Sequence, residues 1–303
     1  MRAMRIAYLA SPVTMPGSPV RRDDAFEHDQ MMDSLTRLSS QMRDVVADTG
    51  PENMTFEDIS WDDANADWDT FDAAIIGTTW DYWDRKDDFL ATLRRIESST
   101  RLFNPAALVE WNIHKAYLRD LESRGARLIP TLWLDKVTEE AAAEAFDQLG
   151  SDDLVFKRQV GAGAAGQHRL NRGDAIPHMP HPMMVQPFLK RIQDEGEYSF
   201  IFIDGTLSHA LLKSAAPGDY RIQSAYGGVE TPVDPSESDL NAAQAILATL
   251  DEAPLYARVD MLRGEDDSLL LMELELIEPF LYPLQSDGRL GLRIAEALTR
   301  RLG

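Results

Sequence analysis

Acidic and apolar side chains alternate at residues 271–279, which read LMELELIEP. A β-strand sends successive side chains to opposite faces, so Glu273 and Glu275 are predicted to share one face. The intervening Met272 and Leu274 are predicted to pack into a core on the other face. Two neighbouring carboxylates repel each other unless water, a proton or a cation lies between them. The pattern therefore indicates either a cation site or a solvated surface.

A second strand is predicted to pair with this one. It ends at Leu262, and a polar turn separates it from Leu269, which is the arrangement of a β-hairpin. If these two residues face each other, Arg258 falls opposite Glu273. Asp260 is then a diagonal neighbour of Glu273 at ~7 Å or less, within reach of one shared cation. A simple ion pair between the arginine and the glutamate is the alternative that the strand pattern leaves open.

Cations are scarce in this chain, which has 51 acidic and 30 basic residues and a net charge of −21. Nucleic acids are bound by basic patches, so this balance argues against a nucleic-acid partner. Two of the few lysines, Lys157 and Lys213, close short apolar runs. A single lysine at the end of a buried strand can extend its amine to water. Two lysines in this position call for a common explanation.

A glycine-rich loop follows the first of these lysines. It runs from Gly161 through Gly163 to Gly166 and matches the pattern G-x-G-x-x-G. In dinucleotide-binding proteins that pattern opens a helix, whereas here it leads into a turn at 171–173, so we reject a dinucleotide site. A flexible loop between two short antiparallel strands suits a flap whose amides close over nucleotide phosphates.

The elements that carry these residues are predicted from hydrophobic periodicity. Alternating strands and helices over residues 5–97 favour a parallel sheet, whose ligands collect beyond the carboxyl ends of the strands. One loop at such an end contains Thr79, Trp80 and Asp81 and is either a substrate loop or an aromatic lid. The predicted helices are 25–46, 86–97, 112–125, 138–149, 238–250 and 290–302, and the predicted strands are 5–10, 71–77, 128–131, 154–157, 183–189, 197–203, 207–213, 257–262 and 269–277.

The composition excludes several classes of function. The 303 residues contain no cysteine, so any metal must be held by oxygen or nitrogen ligands. No apolar run approaches the ~20 residues of a membrane helix, and the first residues do not resemble a secretory signal. We therefore expect a cytoplasmic protein without a membrane partner.

Six short motifs occur in order along the chain. They are NIHK ending at Lys115, VFK ending at Lys157, VQPFL at 185–189, GEYS at 196–199, RVD at 258–260 and ELE at 273–275. Over essentially its whole length the chain resembles the ATP-grasp superfamily, in its glutathione-synthetase-like branch, and most of all relatives of the D-cycloserine-forming cyclo-ligase. Many members have asparagine where Glu275 stands, and the glutamate resembles the cycloserine-type branch. Phe280 occupies a position where a small polar residue is expected.

The resemblance implies an α/β protein that is α+β in its carboxyl-terminal part. The expected domains are an amino-terminal Rossmann-like substrate domain at 1–111, a small domain with the glycine-rich loop at 112–189, and a domain with the metal site at 190–303. ATP would bind between the last two. Such a protein is compatible with a homo-oligomer.

The resemblance also implies a role for particular residues. Leu189 is the expected main-chain donor to adenine, because Pro187 has no N–H. The ATP-binding residues are predicted to be Lys115, Lys157, Gly161, Gly163, Gly166, Gln186, Phe188, Leu189, Glu195 and Glu197. The ligands of Mg²⁺, or of Mn²⁺ in its place, are predicted to be Asp260, Glu273 and Glu275. The catalytic cations are predicted to be Lys213, Arg221 and Arg258, and the substrate contacts Thr79, Trp80 and Asp81.

The expected activity is an ATP-dependent ligation of a small-molecule carboxylate to an amine through an acyl phosphate, with release of ADP and phosphate. Such chemistry needs cations, a metal ion and exclusion of water rather than a covalent nucleophile. The alternatives are an intramolecular cyclo-ligase of the D-cycloserine type and a small-molecule kinase. A nucleotide-binding regulatory protein is the alternative without catalysis.

Overall fold

The computed structural model describes residues 3–36, 54–161, 166–216, 222 and 227–303. These residues form three β-sheets with packed helices, which is the mixed α/β architecture that the sequence predicts. No helix in these ranges is long and apolar enough to cross a membrane. The strands are β1 (Met4–Ala10), β2 (Met54–Ser60), β3 (Ala73–Ile76), β4 (Arg101–Phe103), β5 (Leu132–Leu134), β6 (Asp153–Arg158), β7 (His168–Asn171), β8 (Met183–Pro187), β9 (Glu197–Ile203), β10 (Thr206–Ser214), β11 (Val229–Val233), β12 (Tyr256–Arg263) and β13 (Leu269–Glu275). The helices are α1 (Phe26–Thr36), α2 (Lys86–Ser99), α3 (Ala106–Asn112), α4 (Tyr117–Ser123), α5 (Glu139–Leu149), α6 (Arg191–Asp194), α7 (Glu237–Leu247) and α8 (Leu290–Leu302).

The amino-terminal sheet is parallel, with the strand order β2-β1-β3-β4. Alternate side chains of its strands pack into two separate cores. Ile6 and Tyr8 pack with helix α1 on one face, whereas Ala7 and Leu9 pack with helix α2 on the other. Because both faces are covered, a ligand can approach this sheet at the ends of its strands, and in parallel sheets ligands bind beyond the carboxyl ends.

The middle sheet is antiparallel, with the strand order β5-β8-β6-β7. Helix α5 packs against it through Ala145 and Phe146. The hydroxyl of Thr138 caps this helix by accepting a hydrogen bond from the amide of Ala141 at 3.1 Å. The helix ends at Gly150, whose φ of 60° is the left-handed conformation that glycine adopts without strain.

The carboxyl-terminal sheet is antiparallel, with the strand order β11-β10-β9-β12-β13. One face is apolar and packs on helices α4 and α7. The opposite face is divided along its length. Ile201, Leu211 and Tyr256 pack with helix α8 and the amino-terminal sheet. Two positions away on the same strands the side chains become polar, beginning with Ser199 and Lys213, and these form the floor of the candidate site.

A buried asparagine joins the amino-terminal sheet to the carboxyl-terminal one. The side chain of Asn104 donates to the carbonyl oxygens of Tyr256 and Leu276, at 2.9 and 2.7 Å, and accepts from the amide of Leu255 at 2.8 Å. Asn112 makes similar bonds to the main chain at the end of β13. Main-chain groups beside the candidate site therefore depend on these two side chains for their hydrogen bonds.

Most predicted elements are present, and strand 197–203 and helix 290–302 have the predicted bounds. The predicted helix 112–125 is wrong, because helix α3 ends at Asn112 and helix α4 begins only at Tyr117. Between them the amide of Lys115 donates to the carbonyl oxygen of Gln159. The predicted strand 128–131 is also wrong, since the strand that pairs with β8 is β5.

Strand β7 was implied as the second strand of the flap, but the predicted strands include no bounds for it. The sequence pattern did not predict strands β2, β4 and β11. Strand β4 has three residues, and the other two carry polar or charged side chains that obscure the apolar periodicity. The predicted helix 25–46 corresponds to α1, which begins at Phe26, and residues 37–46 lie outside the described ranges.

Replacing Asn104 with alanine is expected to lower the free energy of unfolding by about 3 kcal/mol or more, because three buried main-chain groups lose their partner. The φ of 58° at this residue adds strain for alanine. Urea denaturation measures the change, and the exposed Asn65→Ala is a matched control expected to change by no more than about 0.5 kcal/mol. Equal stability of the two variants would contradict the structural role of Asn104.

Candidate active site

Strands β12 and β13 form the predicted hairpin, but the predicted register is wrong. Arg258 pairs with Glu275 and Asp260 pairs with Glu273, whereas the prediction placed the arginine opposite Glu273. The difference arises at a β-bulge beside Met272, which adds a residue to β13 between the strand pairs. The bulge also leaves Met272 half-buried rather than in the predicted core. Two of the three predicted metal-binding acids, Asp260 and Glu273, are therefore direct neighbours across the strands.

Asp260 lies at the centre of the site and is only 2% exposed. Ser199, its cross-strand neighbour on β9, donates a hydrogen bond to it. The amine of Lys213 lies 3.3 Å from Asp260 Oδ1, and Arg258 Nε lies 3.1 and 3.0 Å from the two carboxylate oxygens. Lys213 also pairs with Glu197, which is directly opposite it on β9. Three adjacent strands thus contribute to one buried network of charges.

Arg258 extends this network to the edge strand β13. Its Nη2 donates to Glu275, and its Nη1 donates to the carbonyl oxygen of Phe280 at 3.2 Å. The guanidinium carbon lies 5.7 Å from the centroid of the Tyr282 ring. These contacts confirm that the charged side chains of the hairpin share one face of the sheet.

Two further lysines reach the site from the middle part of the chain. The amine of Lys115 pairs with Glu273. Lys157, near the end of β6, is half-buried, and among the described residues no carboxylate lies within ion-pair distance of its amine. The site therefore contains one lysine whose charge is not matched by a nearby acid of the described chain.

Burial opposes charge in this site, and the neighbours decide which groups remain charged. Burial acts to raise the pKa of Asp260, but Arg258 and Lys213 outweigh it and hold that pKa below its usual range. Burial likewise acts to lower the pKa of Lys213, but its acidic neighbours raise that pKa above the usual lysine value. Burial also acts to lower the pKa of Lys157. The negative charge of Glu273 raises that pKa by less than burial lowers it, so the pKa lies below the usual lysine value.

The predicted metal ligands Asp260, Glu273 and Glu275 are brought onto one face of the hairpin. Each of them is paired with a lysine or an arginine, and nowhere in the described ranges do three acidic or histidine side chains form a group that could hold a metal ion. Their oxygen donors fit the chemistry of Mg²⁺, which prefers carboxylates and phosphates. Lys115 would have to release Glu273 before that residue could bind such an ion.

The predicted adenine-binding segment lies at the end of β8. Gln186 is buried and donates from Nε2 to Thr131 Oγ1 at 2.9 Å. The amide of Phe188 donates to the carbonyl oxygen of Asp153 at 2.8 Å. The side chain of Gln186 and the main-chain amide of Phe188 therefore already have partners within the protein. Leu189 stays the predicted main-chain donor to adenine.

The glycine-rich loop is described only at its two ends. Gly161 and Gly166 have φ values of 143° and 69°, conformations that side chains with a Cβ rarely adopt. A Cβ at Gly166 would lie 3.0 Å from Cδ of Arg158. Gly163 lies outside the described ranges, as does Arg221, and their predicted roles stay predictions.

The resemblance implies that Glu195 or Glu197, both among the predicted ATP-binding residues, accepts from the ribose hydroxyls, and these two acids have different surroundings. Glu195 accepts hydrogen bonds from the hydroxyl of Tyr198 at 2.7 Å and from Arg263 Nε at 2.8 Å. Glu197 is buried beside Lys213, and within the described ranges its Oε2 has no hydrogen-bond partner. The contact with ribose stays a prediction for both residues.

The predicted substrate loop follows β3 of the amino-terminal sheet and packs against the segment after β13. Trp80 Nε1 donates to the carbonyl oxygen of Glu278 at 3.2 Å, and its ring packs edge-on against Phe280 with centroids 6.4 Å apart. Thr79 is completely buried, and its hydroxyl has no hydrogen-bond partner among the described residues. Asp81 instead accepts from Trp61 at 2.7 Å, within the amino-terminal sheet and its helices.

A buried polar cluster that the sequence analysis missed holds the start of this loop. His28 is completely buried, with Nδ1 2.5 Å from the hydroxyl of Thr78 and Nε2 3.4 Å from Asp58. Thr14 donates to the carbonyl oxygen of Thr78 at 3.0 Å. The cluster joins β1, β2, β3 and α1, so no local pattern in the sequence indicates it.

Two residues at the junction with the carboxyl-terminal sheet were also missed. The carboxyl of Glu278 is half-buried within hydrogen-bonding reach of the Tyr82 hydroxyl. Burial raises the pKa of Glu278 to about 8, and the negative charges of Glu275 and Glu273 add to this effect. Glu278 follows the acidic strand in the sequence, but it lies beyond the end of β13, where alternation no longer assigns a face.

Comparisons with known proteins agree with this geometry. Residues 20–104 match the family model described as D-cycloserine synthetase DcsG, N-terminal domain. The chain is 32% identical over 276 residues to the cycloserine biosynthesis protein DcsG of Streptomyces lavendulae, which covers 82% of this chain and 89% of that protein. A crystal structure of D-cycloserine synthetase DcsG matches with a TM-score of 0.79 and 26% identity over 99% of this chain and 100% of that chain. A D-alanine–D-alanine ligase from Bacillus anthracis matches with a TM-score of 0.64 and 16% identity over 98% and 95% of the two chains.

The fold and the site together define an ATP-grasp enzyme, in the class of ATP-dependent ligases that join a carboxylate to an amine. Within that class, the chain belongs to the family of the cycloserine biosynthesis protein DcsG. The resemblance that the six motifs indicated is therefore confirmed.

Replacing Lys213 with methionine is expected to lower the free energy of unfolding by about 3–5 kcal/mol, because Glu197 is left buried without its cation. Burial already raises the pKa of Glu197 to about 7 against the attraction of Lys213. Without the lysine that pKa rises further, so the loss of stability relative to the wild type should grow as pH increases from about 6 to about 8. Urea denaturation at both pH values measures the effect. The exposed Lys136→Met is the matched control, and a Lys213 variant with the stability of this control would show that the pair contributes little.

Proposed function

We propose that this enzyme uses ATP with Mg²⁺, or Mn²⁺ in its place, to join a small-molecule carboxylate to an amine through an acyl phosphate. The observation that carries this proposal is the convergence of Lys115, Lys157, Lys213 and Arg258 on the acids of β12 and β13. A phosphoryl transfer between two anions requires such cations, because they offset the repulsion between the carboxylate and the triphosphate.

The reaction has two balanced steps. A carboxylate oxygen attacks the γ-phosphorus of ATP, the bond to the β-phosphate oxygen breaks, and an acyl phosphate and ADP form. The neutral amine then attacks the acyl carbon and expels phosphate, with loss of a proton from the nitrogen. Neither step needs an enzyme nucleophile, which agrees with a chain that has no cysteine.

The residues divide between these tasks according to their positions. Lys157 has no paired carboxylate among the described residues and is suited to bind a phosphate. Arg258 is held by Asp260 and Glu275, so its guanidinium is fixed in place for a developing negative charge. Asp260, Glu273 and Glu275 would hold the magnesium ion, which offsets charge on the phosphates when bound.

Binding of MgATP would exchange partners within the site. In the free protein Lys115 neutralises Glu273, and Lys213 neutralises Asp260 and Glu197. The phosphates of ATP would become new partners for Lys115. The metal ion would then replace Lys115 beside the carboxylate of Glu273. We therefore expect nucleotide and metal to bind together more tightly than either binds alone.

Intramolecular ring closure is the second candidate. Its support is the identity of 32% to a protein named for cycloserine biosynthesis. In that reaction one amino-acid-like molecule supplies both the activated carboxyl group and the nitrogen nucleophile. A kinase that stops at the phosphorylated carboxylate is a further outcome, and product mass distinguishes all three, since a kinase product retains phosphate.

Release of ADP across a panel of amino acids and amines, with mass spectrometry of the products, tests the proposal. Glu273→Gln is expected to lower turnover by about a thousandfold or more, because it removes a charged metal ligand while the volume stays the same. Near-normal ADP production by this variant at saturating Mg²⁺ would rule out the metal assignment.

The exposed Glu265→Gln, in the turn between β12 and β13, is the matched control and should retain wild-type turnover. Thermal unfolding of both variants verifies that the fold is intact. Metal-dependent ATP binding without turnover for any member of the panel would count against a ligase.

A further inference from the structure

The ring of Tyr282 lies against two cations of the site that come from different strands. The amine of Lys213, on β10, is 6.0 Å from the ring centroid, and the guanidinium carbon of Arg258, on β12, is 5.7 Å from it. Tyr282 is only 8% exposed, so these contacts are largely shielded from water. Among the described residues none forms a hydrogen bond with the Tyr282 hydroxyl, so the ring makes the contact with the cations.

The backbone of Tyr282 is strained, because its φ of 48° and ψ of 61° place a bulky residue in the left-handed conformation. Such a conformation persists only where surrounding contacts compensate for its cost. The Phe280 ring packs edge-on against the Tyr282 ring with centroids 5.0 Å apart, and the amide of Gln285 donates to the carbonyl oxygen of Tyr282 at 3.1 Å. These contacts hold the ring on the charged face of the sheet although its backbone is strained.

The segment that carries Tyr282 also binds Arg258 through its main chain. The carbonyl oxygen of Phe280 accepts a hydrogen bond from Arg258 Nη1 at 3.2 Å. On the sheet, Asp260 and Glu275 bind the same guanidinium. Arg258 is therefore held from two sides, by the acids of the hairpin and by the segment that follows it.

An aromatic ring does in this place what a further carboxylate could not. Lys213 and Arg258 carry like charges and both contact Asp260, so they repel each other. The negative face of an aromatic ring attracts a cation without adding a net charge. Another acid would instead neutralise the positive charge that the proposed reaction needs. The ring can thus fix both cations while their charge stays available to an anionic ligand.

We propose that Tyr282 is a positioning residue, whose ring holds Lys213 and Arg258 in the orientation that receives the terminal phosphoryl group of the nucleotide. The ring, and not the hydroxyl, performs this role. The inference deepens the proposed function and rests on it, since it requires a nucleotide that binds at these two cations.

A series of rings in place of Tyr282 tests the contact without any ligand. Phenylalanine keeps the face of the ring, and phenylalanines with one, two and three ring fluorines weaken its negative face stepwise at nearly constant size. In urea denaturation of the full-length protein, the midpoint is expected to fall with each added fluorine, because the attraction between ring and cations weakens. The same series in place of Phe202, which is buried in the apolar core on the other face of the sheet, is the matched control and should show no such trend. Midpoints that fall no further for Tyr282 than for Phe202 would overturn the contact.

Calorimetric titration with MgADP and with the magnesium complex of AMPPNP, a non-hydrolysable analogue of ATP, tests the role. The ratio of the two affinities reports the contacts of the terminal phosphoryl group, whereas a general loss of structure would weaken both. Tyr282→Phe is expected to keep the wild-type ratio within about twofold, and the variant with three ring fluorines to lower it by about fivefold or more. Tyr282→Leu, which removes the ring, should lower the ratio at least as far.

The role is overturned if the variant with three ring fluorines keeps the ratio of Tyr282→Phe. It is overturned equally if Tyr282→Phe loses as much as Tyr282→Leu, since the hydroxyl would then contact the ligand. Tight binding of both nucleotides with a ratio that does not depend on the ring would contradict this inference alone. A protein that binds neither nucleotide would contradict the proposed function and the role of the ring, and the urea series would still report the contact itself.

Discussion

The buried carboxylate of Asp260 is the constraint on which the rest of the site depends. A charge that is 2% exposed is tolerated only with close partners, and Arg258, Lys213 and Ser199 supply them. These cations are themselves buried, so Glu197 and Glu275 are required in turn. Because these five groups lie on strands β9, β10, β12 and β13, their ion pairs hold four strands in one relative position.

The same sheet face joins this network to the apolar core. Ile201 and Leu211 continue the rows of Ser199 and Lys213, and they pack under helix α8 and the amino-terminal sheet. The charged side chains therefore rest on a rigid support, which keeps their dipoles and charges oriented before a ligand arrives. Orientation in advance lowers the cost of stabilising a developing charge, and this is the main contribution that a protein can make to phosphoryl transfer.

Among the described residues, the amino-terminal sheet adds no charged group to the network around Asp260, but its hydrogen bonds position the segments beside that network. Asn104 ties it to β12 and to the segment after β13, and His28 with Thr14 fixes the start of the loop that carries Trp80 and Tyr82. This loop meets the segment after β13 through the contact of Trp80 with Glu278. This loop therefore belongs to a separate sheet from the charged network, and Trp80 touches the segment after β13 without an ion pair to that network.

The sequence by itself determined the α/β class, most elements and the face on which the acids of β13 lie, because apolar periodicity is a local property that reports burial. It also indicated the superfamily through six motifs. It did not determine the register of β12 with β13, since the bulge at Met272 depends on how the sheet packs. Nor did it pair Lys213 with Glu197, because a second bulge, near Leu207, shifts that hairpin. The partners of Asp260, and the approach of Tyr82 to Glu278 from a distant loop, were decided only when tertiary packing brought separate segments together.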